Sequence, residues 1–165
     1  MRTGTLAVFA QNLAVSGANQ VLLNILKAGY YDGNIVLVSP RGGPFAKFFQ
    51  EIGVSVRLGL TLEMLLDKIP DVRAALANTI MTANVVLRLS DVYGIPVTWI
   101  VHEWWPLDRI PMELERRSIK WMTAATVTAA LKAKHVYCAF ICDALRKWVN
   151  WMERLCGGKT LVNNR

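Results

Sequence analysis

The sequence predicts an α/β protein with a doubly wound parallel sheet covered by helices on both faces, a Rossmann-like fold. Short apolar runs alternate along the chain with longer stretches whose apolar residues recur at helical spacing. The runs are continuously apolar, which is typical of parallel strands buried on both faces. With 165 residues, the chain is long enough for one such domain and too short for two. We therefore expect a single domain over residues 1–165.

The strands are expected where short apolar runs end in glycine, proline or polar residues. The predicted strands are 5–10, 34–39, 54–58, 72–77, 95–101, 135–141 and a last short one at 159–162. The run VRAALA at 72–77 also suits a helix on propensity alone. We assign it to a strand because Asn78 and Thr79, directly behind it, resemble the start of the next helix.

Helices are expected between these strands, the first of them opening at Gly17. The predicted helices are 18–31, 45–52, 62–69, 80–94, 111–132 and 143–155. The fifth is predicted as one long, uninterrupted helix, and Asp143 is the expected N-cap of the sixth. Gly94 suits the end of the fourth, because glycine tolerates the left-handed conformation that ends many helices.

Composition excludes several classes of protein. Three cysteines, Cys138, Cys142 and Cys156, have no metal-ligand spacing and are accompanied by only two histidines, so neither a disulfide framework nor a metal site is predicted. We expect a reducing compartment, the cytoplasm. The apolar stretch at 5–15 is interrupted by Gln11 and Asn12 and has no suitable cleavage site, and no apolar run approaches the length of a membrane span.

The net charge of +7 is concentrated in the last third, where residues 107–165 hold eleven Lys and Arg against five Asp and Glu. Arg146, Lys147 and Arg154 alternate there with tryptophans, which suits an anionic membrane surface. The apolar residues at 145, 148, 149 and 152 equally suit the core face of an ordinary helix, so both interpretations stay open. Nucleic acid is not an expected partner, because no binding motif is present.

Candidate site residues follow the ends of predicted strands. In a doubly wound sheet, ligands bind where the loops leave the carboxyl ends of the strands. His102 and Glu103 follow the fifth strand, Asn78 and Thr79 follow the fourth, and the turn at Gly17 follows the first. Loops 39–44 and 142–143 share the same edge. Each residue also has a structural explanation, as a cap, a tight turn or a packed side chain, and only the convergence of several on one edge favours a site.

The order of these segments resembles the N-terminal domain of GT-B glycosyltransferases of family 4, which use nucleotide-activated sugars. The resemblance runs from about residue 5 to residue 165. It is carried by TLAVFAQNLAVSGANQVLLNIL at 5–26, NIVLVSPRGGP at 34–44, FFQEIGVSV at 48–56, ALANT at 75–79 and GIPVTWIVHEWW at 94–105. The resemblance implies one half of a GT-B fold and a reaction that transfers a sugar from a nucleotide-diphosphate sugar to a hydroxyl acceptor.

The resemblance also implies roles for individual residues. His102 matches the family's strand-end histidine and would be the catalytic residue that faces the transferred sugar. Ser16, Gly17 and Ala18 stand where the family commonly has a Gly-Gly pair, and would approach the phosphates or the acceptor. Asn78, Thr79 and Glu103 would line the cleft. The resemblance also implies that no metal or other cofactor is needed, in keeping with the absence of a DxD motif.

The family's second Rossmann domain, which holds the nucleotide and two Glu residues separated by seven, is absent from this sequence. We therefore expect the acceptor-side half of the enzyme, inactive alone and cytoplasmic, with peripheral membrane association left open. Two alternatives remain: a non-enzymatic Rossmann-like module that binds a partner chain or a membrane surface, and a stand-alone nucleotide-binding domain.

Overall fold

The protein is a Rossmann-like α/β domain built on one six-stranded sheet in which every strand pairing is parallel. The structure, a computed structural model, describes residues 4–69, 71–103, 105 and 107–140. The strands are β1 (Thr5–Phe9), β2 (Asn34–Ser39), β3 (Ser55–Leu58), β4 (Val72–Asn78), β5 (Val97–Val101) and β6 (Val136–Phe140). The predicted fold class and the first six predicted strands are confirmed, including the ambiguous run at 72–77.

Helices cover both faces of the sheet. They are α1 (Gly17–Lys27), α2 (Phe45–Glu51), α3 (Leu62–Lys68), α4 (Ala83–Asp91), α5 (Ile110–Arg116) and α6 (Ala124–Lys132), with single turns of 3-10 helix at Ile80–Thr82 and Leu107–Arg109. One core packs α1 and α2 against alternate strand residues such as Val8 and Leu37. The other core lies beneath α3 to α6 and contains the fully buried Trp99.

The strand order is β3-β2-β1-β4-β5-β6. From β1 the chain continues to one side of the sheet, and from β4 it continues to the other. The loops that follow β1 and β4 therefore separate at this point, and the crevice between them is where doubly wound sheets bind ligands. The fold thus places the loops at Gly17 and Asn78 beside each other at the switch point of the sheet.

The predicted uninterrupted helix at 111–132 is wrong, because two helices occupy this stretch. Ser118 has a left-handed backbone, with φ of 54°, and α5 ends before it. Thr123 starts α6, since its hydroxyl accepts a hydrogen bond from the backbone N–H of Thr126 at 3.2 Å. Ile119 and Met122, in the connection between the two helices, are buried in the core.

Several predictions fall outside the described residues. These are the strand at 159–162, the helix at 143–155, the loop at 142–143, and Arg146, Lys147 and Arg154 of the membrane-surface hypothesis. Within the part that is described, no helix has the length and apolar character needed to cross a lipid bilayer.

Gly43 allows the loop after β2 to pack directly on the loop after β1. A Cβ atom on Gly43 would overlap the carbonyl group of Leu13. The backbone N–H of Phe45 donates to that same carbonyl oxygen at 3.0 Å, so the two loops cannot simply move apart. The loop that precedes α1 therefore packs against the start of α2 and is hydrogen-bonded to it.

We expect Gly43→Ala to lower the free energy of unfolding by about 1–3 kcal/mol, the usual cost of overpacking. The matched control is Gly17→Ala, because a Cβ atom there would have no heavy atom within 4 Å. Urea denaturation of both variants measures the difference. Equal stability of the two variants would contradict the close packing of these loops.

Candidate functional site

Hydrogen bonds of Asn78 connect three loops at the carboxyl edge of the sheet. The side-chain oxygen of Asn78 lies 2.7 Å from Nε2 of His102, in the loop after β5. Its side-chain nitrogen donates to the carbonyl oxygen of Ala18, in the first turn of α1, at 3.3 Å. Asn78 itself is only 1% exposed. The three turns singled out in the sequence therefore meet at one place.

The loop between β1 and α1 is held by side chains that bond to its backbone. The Ser16 hydroxyl caps α1 by accepting from the N–H of Asn19 at 3.2 Å. Asn19 is buried and donates to the carbonyl oxygens of Asn12 and Ala14 at 3.1 and 2.8 Å. Gly17 is exposed, and the space beside it is open. As first-turn residues of α1, Gly17 and Ala18 direct N–H groups outward, where an anion is favoured.

Thr79 forms a strained turn directly after β4. Its φ of 74° and ψ of 158° lie in a region that is almost restricted to glycine. Hydrogen bonds hold it there: its N–H donates to the carbonyl oxygen of Ile100 at 2.8 Å, and its own carbonyl oxygen accepts from the Trp99 indole and the Thr82 hydroxyl, both at 2.8 Å. This turn sets the direction in which the chain leaves Asn78.

Glu103, in the loop after β5, forms a hydrogen bond to the backbone of the same turn. One carboxylate oxygen accepts from the backbone N–H of Ile80 at 2.8 Å. Burial raises the pKa of Glu103, and the Ile80 N–H and the positive charge of Arg117 partly oppose that shift. The guanidinium carbon of Arg117 lies 5.0 Å from the centre of the ring of Trp105, which belongs to the loop after β5. The Glu113 carboxylate lies 3.8 Å from Nε of Arg117. Glu103 thus joins two loops of the site.

His102 is partly buried, and this burial lowers its pKa below the ordinary value of 6.5. The charged imidazolium is disfavoured there, because it would lose part of its hydration. At neutral pH the ring is therefore mainly neutral and offers one N–H donor and one unprotonated acceptor nitrogen. The acceptor nitrogen of a neutral ring can accept a hydrogen bond from a hydroxyl group.

The candidate residues named from the sequence lie together in the structure, but the side chains that support them were not predicted. The structure brings Gly17, Ala18, Asn78, Thr79, His102 and Glu103 to one edge, with Ser16 serving as the cap of α1. The loop at 39–44 shares that edge and is closed by the Ser39 hydroxyl, which donates to the carbonyl oxygen of Arg41 at 2.7 Å. Trp99 and Asn19 were missed because each lies inside an apolar or helical pattern that gives no sign of its polar contact.

Metal ligation has no visible basis in the part of the chain that the structure describes. No group of three or more His, Cys, Asp or Glu residues is close enough there to hold a metal ion. The polar groups that gather at the site are an imidazole, an amide, one carboxylate and backbone N–H groups. Such groups recognise hydroxyls and anions by hydrogen bonding.

The fold and this edge define the class of protein: a Rossmann-like domain with polar groups gathered at its topological switch point. Among solved structures, the chain is similar to the crystal structure of Anabaena HepE in complex with UDP-glucose, with a TM-score of 0.69 and 14% identity over 97% of this chain and 42% of that one. The HepE structure in complex with UDP and glucose gives a TM-score of 0.67 and 15% identity over 96% of this chain and 43% of that chain.

AviGT4, a glycosyltransferase involved in avilamycin A biosynthesis, is a more distant match, with a TM-score of 0.42 and 19% identity over 96% of this chain and 54% of that chain. No protein-family model and no curated protein matches the sequence. This chain spans less than half the length of HepE. Identity this low establishes the shared fold alone.

We expect Thr79→Gly to raise the free energy of unfolding, by up to about 1 kcal/mol. Glycine removes the backbone strain, which costs on the order of 1–3 kcal/mol. The variant also loses the contact between the Thr79 hydroxyl and the Met81 N–H, at 3.3 Å, and gains chain entropy in the unfolded state. Urea denaturation measures the net change, with Thr123→Gly as the control, because Thr123 has an extended backbone. A loss of stability as large as that of the control would contradict the strain.

We expect Glu103→Gln to abolish one component of the pH dependence of stability. The folded pKa of Glu103 lies above the ordinary value of 4.5, so the folded chain keeps this proton to a higher pH than the unfolded chain does. Ionisation of Glu103 therefore lowers the free energy of unfolding as pH rises from near 4.5 through the folded pKa. Glutamine keeps an acceptor for the Ile80 N–H without ionising, so this decline should disappear.

The control is Glu103→Ala, which leaves the buried Ile80 N–H without its acceptor and should cost about 1–3 kcal/mol. Urea denaturation at a series of pH values compares both variants with the unmodified chain. A decline in Glu103→Gln as steep as in the unmodified chain would show that another group causes it.

Proposed function

We propose that this chain is the acceptor-side, N-terminal half of a GT-B glycosyltransferase of family 4. The full reaction would transfer a sugar from a nucleotide-diphosphate sugar to a hydroxyl acceptor. The observation that carries the proposal is the direct connection of His102, Asn78 and the first turn of α1 at the switch point of the sheet. The similarity in fold to HepE, which was crystallised with UDP-glucose, supports the choice of ligand class.

The geometry suggests distinct roles within the proposed site. The exposed N–H groups of Gly17 and Ala18, at the N-terminus of α1, suit the negative charge of a diphosphate. His102 suits a sugar hydroxyl, because one ring nitrogen can accept a hydrogen bond from that group while the other nitrogen contacts Asn78. Glu103 and Thr79 are engaged in hydrogen bonds within the protein and would shape the cleft wall.

We expect the chain alone to bind donor weakly and to transfer no sugar. A single Rossmann-like domain provides one wall of a cleft and cannot exclude water from the reacting centre. The chain matches 42% of HepE, which is in keeping with one of two such halves. The rest of the cleft would come from a second, donor-binding domain.

Ligand mapping by NMR tests the proposal without requiring turnover. We expect millimolar UDP-glucose to shift the amide resonances of Gly17 and Ala18 and the ring resonances of His102. Resonances at the opposite edge of the sheet, such as those of Gly33 and Gly94, should stay in place. Shifts confined to that opposite edge, or no shifts at saturating ligand, would contradict the proposed site.

Two variants sharpen this test. His102→Gln should weaken the binding of UDP-glucose about 2–10-fold, the worth of one hydrogen bond. Gly17→Ala should weaken it as well, because the new methyl group occupies the open space beside the N–H groups while the fold is unchanged. His135→Gln, at the start of β6 on the opposite edge, is the control and should bind like the unmodified chain.

A further inference from the structure

The amide of Asn78 can take only one of its two orientations. Its nitrogen needs an acceptor, and the carbonyl oxygen of Ala18 lies 3.3 Å away. Rotating the amide by half a turn would bring its oxygen against that carbonyl oxygen, so that two acceptors would face each other without a proton. Such an arrangement in a buried side chain costs about 1–3 kcal/mol. The network of hydrogen bonds therefore directs the Asn78 oxygen toward His102.

This orientation fixes the position of the proton on the neutral His102 ring. The Asn78 oxygen is an acceptor and lies 2.7 Å from Nε2, so Nε2 must carry the hydrogen. A neutral imidazole has one N–H, so Nδ1 is left unprotonated with its lone pair available. Among the residues that the structure describes, no hydrogen-bond donor contacts Nδ1.

We propose that Asn78 is a positioning residue that holds His102 in the Nε2–H tautomer, and that Nδ1 is the nitrogen that accepts a hydrogen bond from a ligand hydroxyl. The identity of that ligand, a nucleotide-diphosphate sugar or its acceptor, rests on the proposed function. The assignment of the tautomer does not rest on the proposed function, because it follows from contacts within the chain alone.

The surroundings of Asn78 keep this arrangement in place. Asn78 is the last residue of β4, where its backbone pairs with Ile100 of β5. The turn behind it is held by the Trp99 indole and the Glu103 carboxylate, bound to the Thr79 carbonyl oxygen and the Ile80 N–H. The amide therefore meets His102 from a backbone anchored on both sides.

The test is the tautomeric state of His102 in the full chain without ligand, read from the nitrogen resonances of its ring. The chain has only two histidines, so His135→Gln assigns the signals. Above about pH 7.5, where the ring is neutral, we expect Nε2 to be protonated and Nδ1 unprotonated. An Nδ1–H tautomer in the unmodified chain would overturn the proposal, and this measurement requires no variant that must fold.

Two substitutions separate positioning from a purely structural role. In Asn78→Ala, the Nε2–H proton loses its acceptor, and we expect its exchange with water to accelerate about tenfold, the worth of one hydrogen bond. In Asn78→Asp, a carboxylate oxygen replaces the amide oxygen as acceptor, so the Nε2–H proton should exchange at about the rate found in the unmodified chain. Equally fast exchange in both variants would overturn the role of Asn78, even if both remain folded.

Titration with UDP-glucose tests the second part of the proposal. If the ligand hydroxyl binds Nδ1, the Nδ1 resonance should shift by more than the Nε2 resonance. A larger shift at Nε2 would overturn the assignment of Nδ1. An absence of binding, with the Nε2–H tautomer intact, would instead count against the proposed function and leave the tautomer established.

Discussion

The candidate site depends on one buried side chain, Asn78, which bonds simultaneously to α1 and to His102. The residues it joins lie far apart in the sequence, and the parallel pairing of β1, β4 and β5 is what brings their carboxyl ends together. An amide suits this position because it offers a donor on one side and an acceptor on the other. A carboxylate of similar size would satisfy only His102, and an apolar side chain would satisfy neither neighbour.

The turn behind Asn78 shows how the fold accommodates a local conformation that its sequence disfavours. Thr79 occupies backbone angles that a β-branched residue rarely adopts. The surrounding hydrogen bonds, from the backbone of β5 and the indole of Trp99, compensate for that strain. Because Trp99 is fully buried, its indole N–H needs an acceptor, and the Thr79 carbonyl oxygen supplies it. The strained turn and the core thus stabilise each other.

Periodicity in the sequence was sufficient for the sheet and its order of elements, because the buried parallel strands are continuous apolar runs such as NIVLVS. It also placed His102, Asn78 and Gly17 at a common edge, since that follows from strand direction alone. It failed at residues 117–123, where Ser118 and Thr123 divide a helix and no glycine or proline marks the break. It also could not reveal Trp99 as a hydrogen-bond donor, since its partner depends on the three-dimensional path of the turn.

Among the residues that the structure describes, the hydrogen bonds that hold the site connect loops of this chain to one another. Asn19, Thr79 and Glu103 fix the three loops through hydrogen bonds to the backbone. A preformed wall loses little conformational entropy when a ligand binds. The position of the His102 ring is likewise set by contacts within this chain.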